Sequence, residues 1–310
     1  MSASGSDHLD QATAIFTAER PRLVGLAYRL LGSVADADDI VQEAWIRWSR
    51  ADHESIERPA AWLTTVVSRL GLDRLRSRRR EQVDYVGPWL PEPIVQPFSR
   101  ASDPADPEHA SILSDSLTTT FLVMLEHLTP EERLTLLLVD VFGEPFRSVA
   151  ALLDRSEDAC RQLAVRARRK LAAQRDQAEH TRHTQAEQLA VASAFVGAVL
   201  SGDIDAVTAM LRPGAVMTSD GGPHRHAARR PVVGPARIAR FLVNLYRRIP
   251  PDVVEFDPVW VNGAPGVVMR LHGTPYLVCV LEIVDGLIDR QYTIVNPDKL
   301  ASIGREVQLV

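Results

Sequence analysis

Residues 143–171 run GEPFRSVAALLDRSEDACRQLAVRARRKL, and their pattern decides the architecture of the first half of the chain. Phe146, Val149, Ala150, Leu152 and Leu153 give a first helix one apolar side. Asp154, Arg155 and Ser156 break it, and Ser156 suits an N-cap because its hydroxyl can accept a free backbone N–H. Glu157 and Asp158 follow in the first turn of a second helix, where the helix dipole favours negative charge. Cys160, Leu163, Ala164, Ala167 and Leu171 recur at helical spacing as one buried stripe. Arg161, Gln162, Val165, Arg166, Arg168 and Arg169 are left on the other faces, and residues 161–175 hold six basic side chains and no acidic one. A helix-turn-helix with a basic second helix fits the DNA major groove, its arginines meeting phosphates and base edges. A solvated basic helix on an ordinary bundle is the plainer alternative.

Upstream, residues 10–80 are helical in pattern. Phe16, Leu23, Val24, Leu26, Ala27, Leu30 and Leu31 form an apolar face that Gly32 and Ser33 stop. Asp36, Asp38 and Asp39 open the next helix, and Ile40, Val41, Ala44, Trp45 and Trp48 follow. Arg58-Pro59 starts a third, with Trp62, Leu63, Val66, Val67 and Leu70 at core spacing. It runs into a basic end in which residues 69–80 carry six arginines and one aspartate; there Arg78, Arg79 and Arg80 either keep the helix end soluble or extend a functional strip. Residues 111–143 are helical again, and Thr129-Pro130-Glu131-Glu132 is a capping box with proline at the first helical position.

Between these helical stretches, residues 84–110 carry Pro88, Pro91, Pro93, Pro97, Pro104 and Pro107, which exclude a helix interior or a central strand. Tyr85, Val86, Trp89, Leu90, Ile94 and Phe98 make this linker too apolar to be merely solvated, so it is expected to dock on something. From about residue 185 the character changes. Two amphipathic helices, 190–200 and 204–211, precede a possible strand start at Val216-Met217 and a helix at 238–248. Strand-like runs then occupy 253–256, 267–271, 276–284 and 287–295, with Asn262-Gly263, Gly273 and Asp285-Gly286 as turns. Helices followed by a curved antiparallel sheet describe a separate α+β domain.

The chain has 310 residues, enough for two or three domains, and a formal net charge of −5. Residues 1–180 contain 22 Lys plus Arg against 28 Asp plus Glu, so basic charge is local and free DNA should be bound weakly. The two cysteines, Cys160 and Cys279, match no metal spacing and fit reduced buried thiols. No apolar signal region or membrane-length run is present, so a cytoplasmic protein without a membrane partner and without a cofactor is expected.

Two further motifs, in order, carry a resemblance. Asp36-Ala37-Asp38-Asp39-Ile40-Val41-Gln42-Glu43-Ala44-Trp45, with Ala61-Trp62-Leu63-Thr64-Thr65-Val66 leading to Asp73-Arg74-Leu75-Arg76, resembles region 2 of extracytoplasmic-function (ECF) sigma factors. Leu128-Thr129-Pro130-Glu131-Glu132-Arg133 with the helix-turn-helix resembles their region 4. The remainder resembles a subgroup with a SnoaL-like domain of the NTF2-like fold fused behind region 4. Trp89-Leu90-Pro91-Glu92-Pro93 and Asn296-Pro297-Asp298-Lys299-Leu300 match two signatures of that subgroup, and Asp220-Gly221-Gly222 keeps the first part of a third, the lysine of which is replaced by Pro223-His224.

The resemblance implies a multidomain chain: two all-α sigma domains, at 8–83 and 111–178, joined by the linker 84–110, and an α+β NTF2-like cone at 185–302. It implies that Asp36, Asp39, Gln42, Glu43 and Trp45 meet the β′ clamp of core RNA polymerase. Arg69, Arg74, Arg76 and Arg79 would face the −10 element of promoter DNA, and Ser156, Arg161, Gln162, Val165, Arg166 and Arg169 the −35 element. Trp89, Leu90, Pro91, Asp220, Asn296, Asp298 and Lys299 would form a regulatory contact through which the C-terminal domain controls the other two. A different class of reading is a cyclase- or isomerase-like enzyme, or a sensor of an unidentified small molecule, carrying a DNA-binding module. Its polar residues would be Asp220, His224, His226, Tyr246, Asp289 and Tyr292, converging in the cone.

Overall fold

A computed structural model describes residues 3–81, 85–97, 116–173 and 184–304. The N-terminal half starts with three helices, α1 (Ala3–Leu31), α2 (Val34–Ser49) and α3 (Pro59–Glu81). Gly32, at φ +66°, ends α1, and the Ser33 hydroxyl caps α2 by accepting from the Asp36 N–H. The second helical unit holds α4 (Thr119–Leu125), α5 (Pro130–Leu136), α6 (Phe146–Leu153) and α7 (Glu157–Ala172). Thr129 and Glu132 form the expected capping box, Asp154 turns the chain at φ 52°, and Ser156 caps α7 through the Ala159 N–H at 3.2 Å. The two helical units share one core. Leu23, Leu26, Leu30 and Leu63 of the first pack in the same cluster as Leu122, Leu134, Leu137 and Val149 of the second.

The C-terminal domain contains α8 (Gln185–Ser201), α9 (Ile204–Ala209), β2 (Leu211–Asp220), β3 (Val232–Val233), α10 (Pro235–Tyr246), β4 (Val254–Val261), β5 (Ala264–Leu271), β6 (Thr274–Val284), β7 (Leu287–Ile294) and the short α11 (Pro297–Leu300). Strands β4 to β7 are joined by two-residue hairpins at Asn262-Gly263, His272-Gly273 and Asp285-Gly286, all with positive φ, as type I′ turns require. These turns set the antiparallel register, and β2 joins the other side parallel to β7. The expected α+β composition is thus present, with β4 reaching five residues further than its sequence pattern predicts.

The described part of the proline-rich linker docks as expected and, in addition, forms an edge strand, which its prolines do not exclude. Val95–Pro97, here β1, pairs antiparallel with Val259–Val261 at the edge of the sheet. Pro97 is tolerated because an edge strand leaves one row of its backbone groups unpaired. Phe98, Pro104 and Pro107 lie outside the described residues.

Both faces of the sheet are covered. Phe195, Val199, Val207 and Leu242 pack on one side with Leu281 and Ile288. Leu90 of the linker, fully buried, packs on the other with Val259, Val278, Val280 and Ile294, and Val123 of α4 reaches the same cluster. The sheet therefore rests on both the linker and the second helical unit.

Candidate functional site

Of the residues expected at the interdomain contact, Trp89, Leu90, Asn296 and Lys299 gather around Asp220, while Pro91 lies beside Gly32. The Asp220 side chain is fully buried at the end of β2 and accepts from the Tyr85 hydroxyl (2.6 Å), the Leu90 N–H (2.8 Å), the Gly222 N–H (3.0 Å) and the Lys299 ammonium (2.6 Å). Lys299 also donates to the Leu90 carbonyl, and its Nζ lies 4.0 Å from the centroid of the Trp89 ring. Asn296 donates to the Tyr85 hydroxyl at 3.1 Å. Burial and the adjoining Asp220 carboxylate push the Tyr85 phenol well above its ordinary value, so it serves as a donor. Burial draws Lys299 down to about 8, with the Asp220 charge opposing. Asp298 is not part of this cluster: its side chain is exposed and faces His224 at 3.6 Å.

The linker contacts the N-terminal unit with its other side. Glu92 is buried against the start of α2, its carboxylate accepting from the Val34 N–H (2.8 Å) and the Ser33 hydroxyl (3.2 Å), while its own N–H donates to the Gly32 carbonyl. Tyr28 of α1 donates to the Glu92 carbonyl at 2.7 Å and accepts from Asn262 of the β4–β5 hairpin at 2.7 Å. Asn262 in turn accepts from the Ile94 N–H. Tyr28, Glu92 and Asn262 thus tie α1, the linker and the C-terminal domain together. No local sequence pattern connects them, since Tyr28 and Asn262 are 234 positions apart.

Arg78 requires a correction. Neither reading of it as a surface charge holds, because it is 8% exposed, donates to the Leu31 carbonyl and stacks 3.8 Å from the Trp89 ring centroid. Its aliphatic stem and flat guanidinium fill space that the indole would otherwise leave open. Burial lowers its pKa.

The remaining arginines of α3 take separate positions. Arg69 is exposed. Arg74 pairs with Asp36 at 2.9 Å, so a residue expected to face DNA is bound to one expected to face polymerase. Arg76 reaches across to Glu131 of α5 at 2.6 Å. Burial opposes ionisation of Glu131, yet the bond from Arg76 holds its carboxyl below the ordinary value. The side chain of Arg79 lies outside the described residues.

On α2 the five expected polymerase contacts spread round about half of the helix. Asp36 points to Arg74, Asp39 is exposed, and Glu43 pairs with Arg47 at 2.9 Å. Gln42 and Trp45 line a groove with Thr13, Phe16 and Thr17 of α1, the Trp45 and Phe16 rings lying 5.0 Å apart.

On α7, Gln162, Val165, Arg166 and Arg169 form an exposed face, with Val165 61% exposed. Arg161 is held by Glu157 (2.7 Å) and Asp158 (2.6 Å), beside the Phe146 ring. Arg166 lies 3.5 Å from Glu132, which also accepts from Lys170 at 2.6 Å. Two buried arginines that the sequence did not flag bridge the helical units. Arg133 donates to Glu126 and to the Arg29 carbonyl, and Arg29 donates to Ser116 at 2.8 Å. Burial lowers Arg29 to about 10.

The polar residues of the enzyme reading do not converge. Asp220 belongs to the linker contact, Asp289 pairs with Arg212, and Tyr292 bonds Thr120 of α4 at 2.8 Å. His224 is exposed beside Asp298, and His226 is exposed as well. Of these residues Tyr246 borders an apolar cavity with Phe195, Leu242, Phe256, Cys279 and Gln291, while His224 and His226 line a separate polar pocket of about 180 Å³ with Gly221, Gly222 and Arg225, to which no carboxylate among the described residues contributes. The apolar cavity has a volume of only about 30 Å³ and neither a carboxylate nor a histidine in its wall. Burial pushes the Cys279 thiol up to about 12, away from thiolate chemistry. Among the described residues no group of His, Cys, Asp and Glu is arranged to hold a metal, and no helix is long and apolar enough to cross a membrane.

Two family models match this chain, Sigma-70 region 2 over residues 15–81 and Sigma-70, region 4 over residues 119–171. The ECF RNA polymerase sigma factor SigJ of Mycobacterium tuberculosis is 38% identical over 293 residues, covering 92% of this chain and 91% of that protein. A probable ECF RNA polymerase sigma factor of the same organism, SigI, is 32% identical over 302 residues, covering 96% and 98% respectively. The crystal structure of M. tuberculosis SigJ matches with a TM-score of 0.72 at 35% identity, over 95% of this chain and 99% of that one.

Proposed function

This chain belongs to the ECF family of RNA polymerase sigma factors, and we propose that its linker and C-terminal domain hold it in a closed form that core polymerase and promoter DNA must open. As a sigma factor it binds core RNA polymerase and directs initiation at promoters. The finer assignments are that α2, through Asp36, Asp39, Gln42, Glu43 and Trp45, meets the β′ clamp, that α3 meets the −10 element, and that α7 meets the −35 element. The domain limits stated from the sequence serve as the working division of these roles.

One observation carries the closed form: the two helical units share a core and are joined by the Arg76–Glu131 pair at 2.6 Å. Elements about 25 base pairs apart lie roughly 85 Å apart along a duplex at about 3.4 Å per pair. Readers of the two elements cannot be packed together and span that distance. Arg74 and Arg76, with their charges committed to Asp36 and Glu131, are also less available to phosphates. The linker contact at Asp220, the Tyr28–Glu92–Asn262 tie and the Thr120 contacts to Glu282 and Tyr292 support the C-terminal domain as the clasp. Acting with polymerase, the protein works in the cytoplasm.

A pair of fluorophores on α3 and α7 tests this. Their separation should be short in the free protein and increase by tens of ångströms when core polymerase and a matched promoter are added. An unchanged separation on productive initiation would overturn it. The dispersed polar residues and the small apolar cavity beside Tyr246 favour a regulatory, non-catalytic C-terminal domain, and turnover of a cyclisation or isomerisation substrate by the full chain would reverse that assignment.

A further inference from the structure

Residues 221–251 contain seven arginines and two histidines and no aspartate or glutamate, in a chain whose net charge is −5. Six of these arginines, Arg229, Arg230, Arg237, Arg240, Arg247 and Arg248, are exposed. Among the described residues none of the six forms an ion pair; Arg247 has the Gly202 carbonyl at 3.5 Å. Arg74, Arg76, Arg161 and Arg168 of the helical units each hold a carboxylate, whereas Arg69, Arg147, Arg155 and Arg169 are exposed there as well.

Folding does not account for this surface. Arg237 occupies the first turn of α10, where the helix dipole disfavours a cation. Arg237 and Arg240, three residues apart, repel each other on the same face. Arg237, Arg240 and Asn244 follow one another along that face, with Phe241 (39% exposed) and Leu245 (43% exposed) beside them, and Arg248 follows in the turn after the helix. The helix is about 18 Å long, the rise of roughly five base pairs. Because the linker and α4 cover the opposite side of the sheet, α10 is on the side that the domain turns away from the helical units, whereas Arg229 lies beside Gly87 of the linker and is not part of the α10 surface.

We propose that this arginine surface of the C-terminal domain binds the phosphate backbone of duplex DNA without regard to sequence, as a third contact between the protein and its promoter. The guanidinium fork matches phosphate geometry, and such contacts supply affinity and position rather than base recognition. The contact rests on the sigma-factor assignment for its supply of DNA: regions 2 and 4 hold promoter DNA on the same chain, so a weak contact acts at high local concentration. In the open complex the surface would retain the released domain on DNA flanking the −35 element.

The test uses the full chain bound to core polymerase on a matched promoter. A variant with Arg237→Ser, Arg240→Ser, Arg247→Ser and Arg248→Ser is compared with the parent across a salt series, and a photo-crosslinking side chain is placed at Asn244. The salt dependence of promoter binding should fall by about 0.9 in log–log slope for each phosphate that is no longer neutralised. The crosslink should form to DNA, and replacing the same four arginines with lysine should keep most of the slope. The transcription start point should stay the same, which separates an effect of this surface from a failure of sigma function. An unchanged slope overturns the proposal, as does a crosslink to a polymerase subunit in place of DNA, which would make the Phe241–Leu245 stripe a site for an acidic protein surface.

Discussion

Lys299 Nζ lies 2.6 Å from the Asp220 carboxylate, with the two side chains 12% and 0% exposed. Such a pair is expensive to assemble but more expensive to halve, because a lone buried charge has nothing to offset its desolvation. Asp220→Asn should therefore cost about 3–5 kcal/mol in the stability of the closed form. It also weakens the acceptors of the Tyr85 hydroxyl and the Leu90 N–H. Urea unfolding and limited proteolysis of the linker measure both effects. A loss below about 1 kcal/mol with unchanged protease protection would show that the pair is not the clasp.

The Trp89 ring is shared by Arg78 at 3.8 Å and Lys299 at 4.0 Å, one from the N-terminal unit and one from the C-terminal domain. Cation–π contacts of this kind contribute roughly 0.5–2 kcal/mol each. Trp89→Ala should weaken closure by about 1–4 kcal/mol and raise transcription from a matched promoter when core polymerase is limiting. Trp89→Phe should fall between the two. Equal transcription by all three proteins would remove the ring from the regulatory argument.

What was legible in the sequence was local. The helix-turn-helix could be read because its apolar stripe and the Ser156 cap act over one or two turns, and the hairpins because Asn-Gly and Asp-Gly select one turn type. The strand at Val95–Pro97 was hidden among prolines, because its partner Val259–Val261 is remote in the chain. The burial of Arg29, Arg78 and Arg133 was hidden for the same reason. Each is held by a carbonyl, hydroxyl or carboxylate that only tertiary packing supplies, such as Leu31, Ser116 and Glu126. The residues gathered at Asp220 are linked in the sequence by family resemblance alone, since neither spacing nor periodicity connects Trp89 with Lys299.

Arg161 gives a prediction about specificity. Its guanidinium is held by Glu157 and Asp158 on an exposed turn of α7. Exposed pairs of this type are worth about 0–1 kcal/mol, so DNA can displace them at little cost. If Arg161 reads a base edge, Arg161→Ala should lower discrimination at one −35 position by about 1–3 kcal/mol. Transcription from a panel of −35 variants measures this. Uniform weakening across the panel would make Arg161 a phosphate contact instead.

The contact between the second helical unit and the C-terminal domain should depend on pH through Glu282. Glu282 accepts from the Thr120 N–H at 3.1 Å, beside Tyr292 and Arg290. Burial raises its pKa, with the bonds from Thr120 and the charge of Arg290 opposing and Asp289 adding to the rise. When the units separate, the carboxyl is solvated and returns to its ordinary value. Between the two values the closed form binds more protons than the open one, so closure gains stability as pH falls toward the ordinary carboxylate range and loses it as pH rises through the raised value. A fluorophore pair spanning α4 and β6 should therefore report tighter closure near pH 5 than at about pH 8. Glu282→Gln, which carries no titrating proton yet retains an acceptor for the Thr120 N–H, should flatten that dependence and hold the contact at neutral pH as firmly as acid does in the parent. A parent protein that closes more tightly as pH rises, or a glutamine variant that still titrates, would place the pH-sensitive group elsewhere.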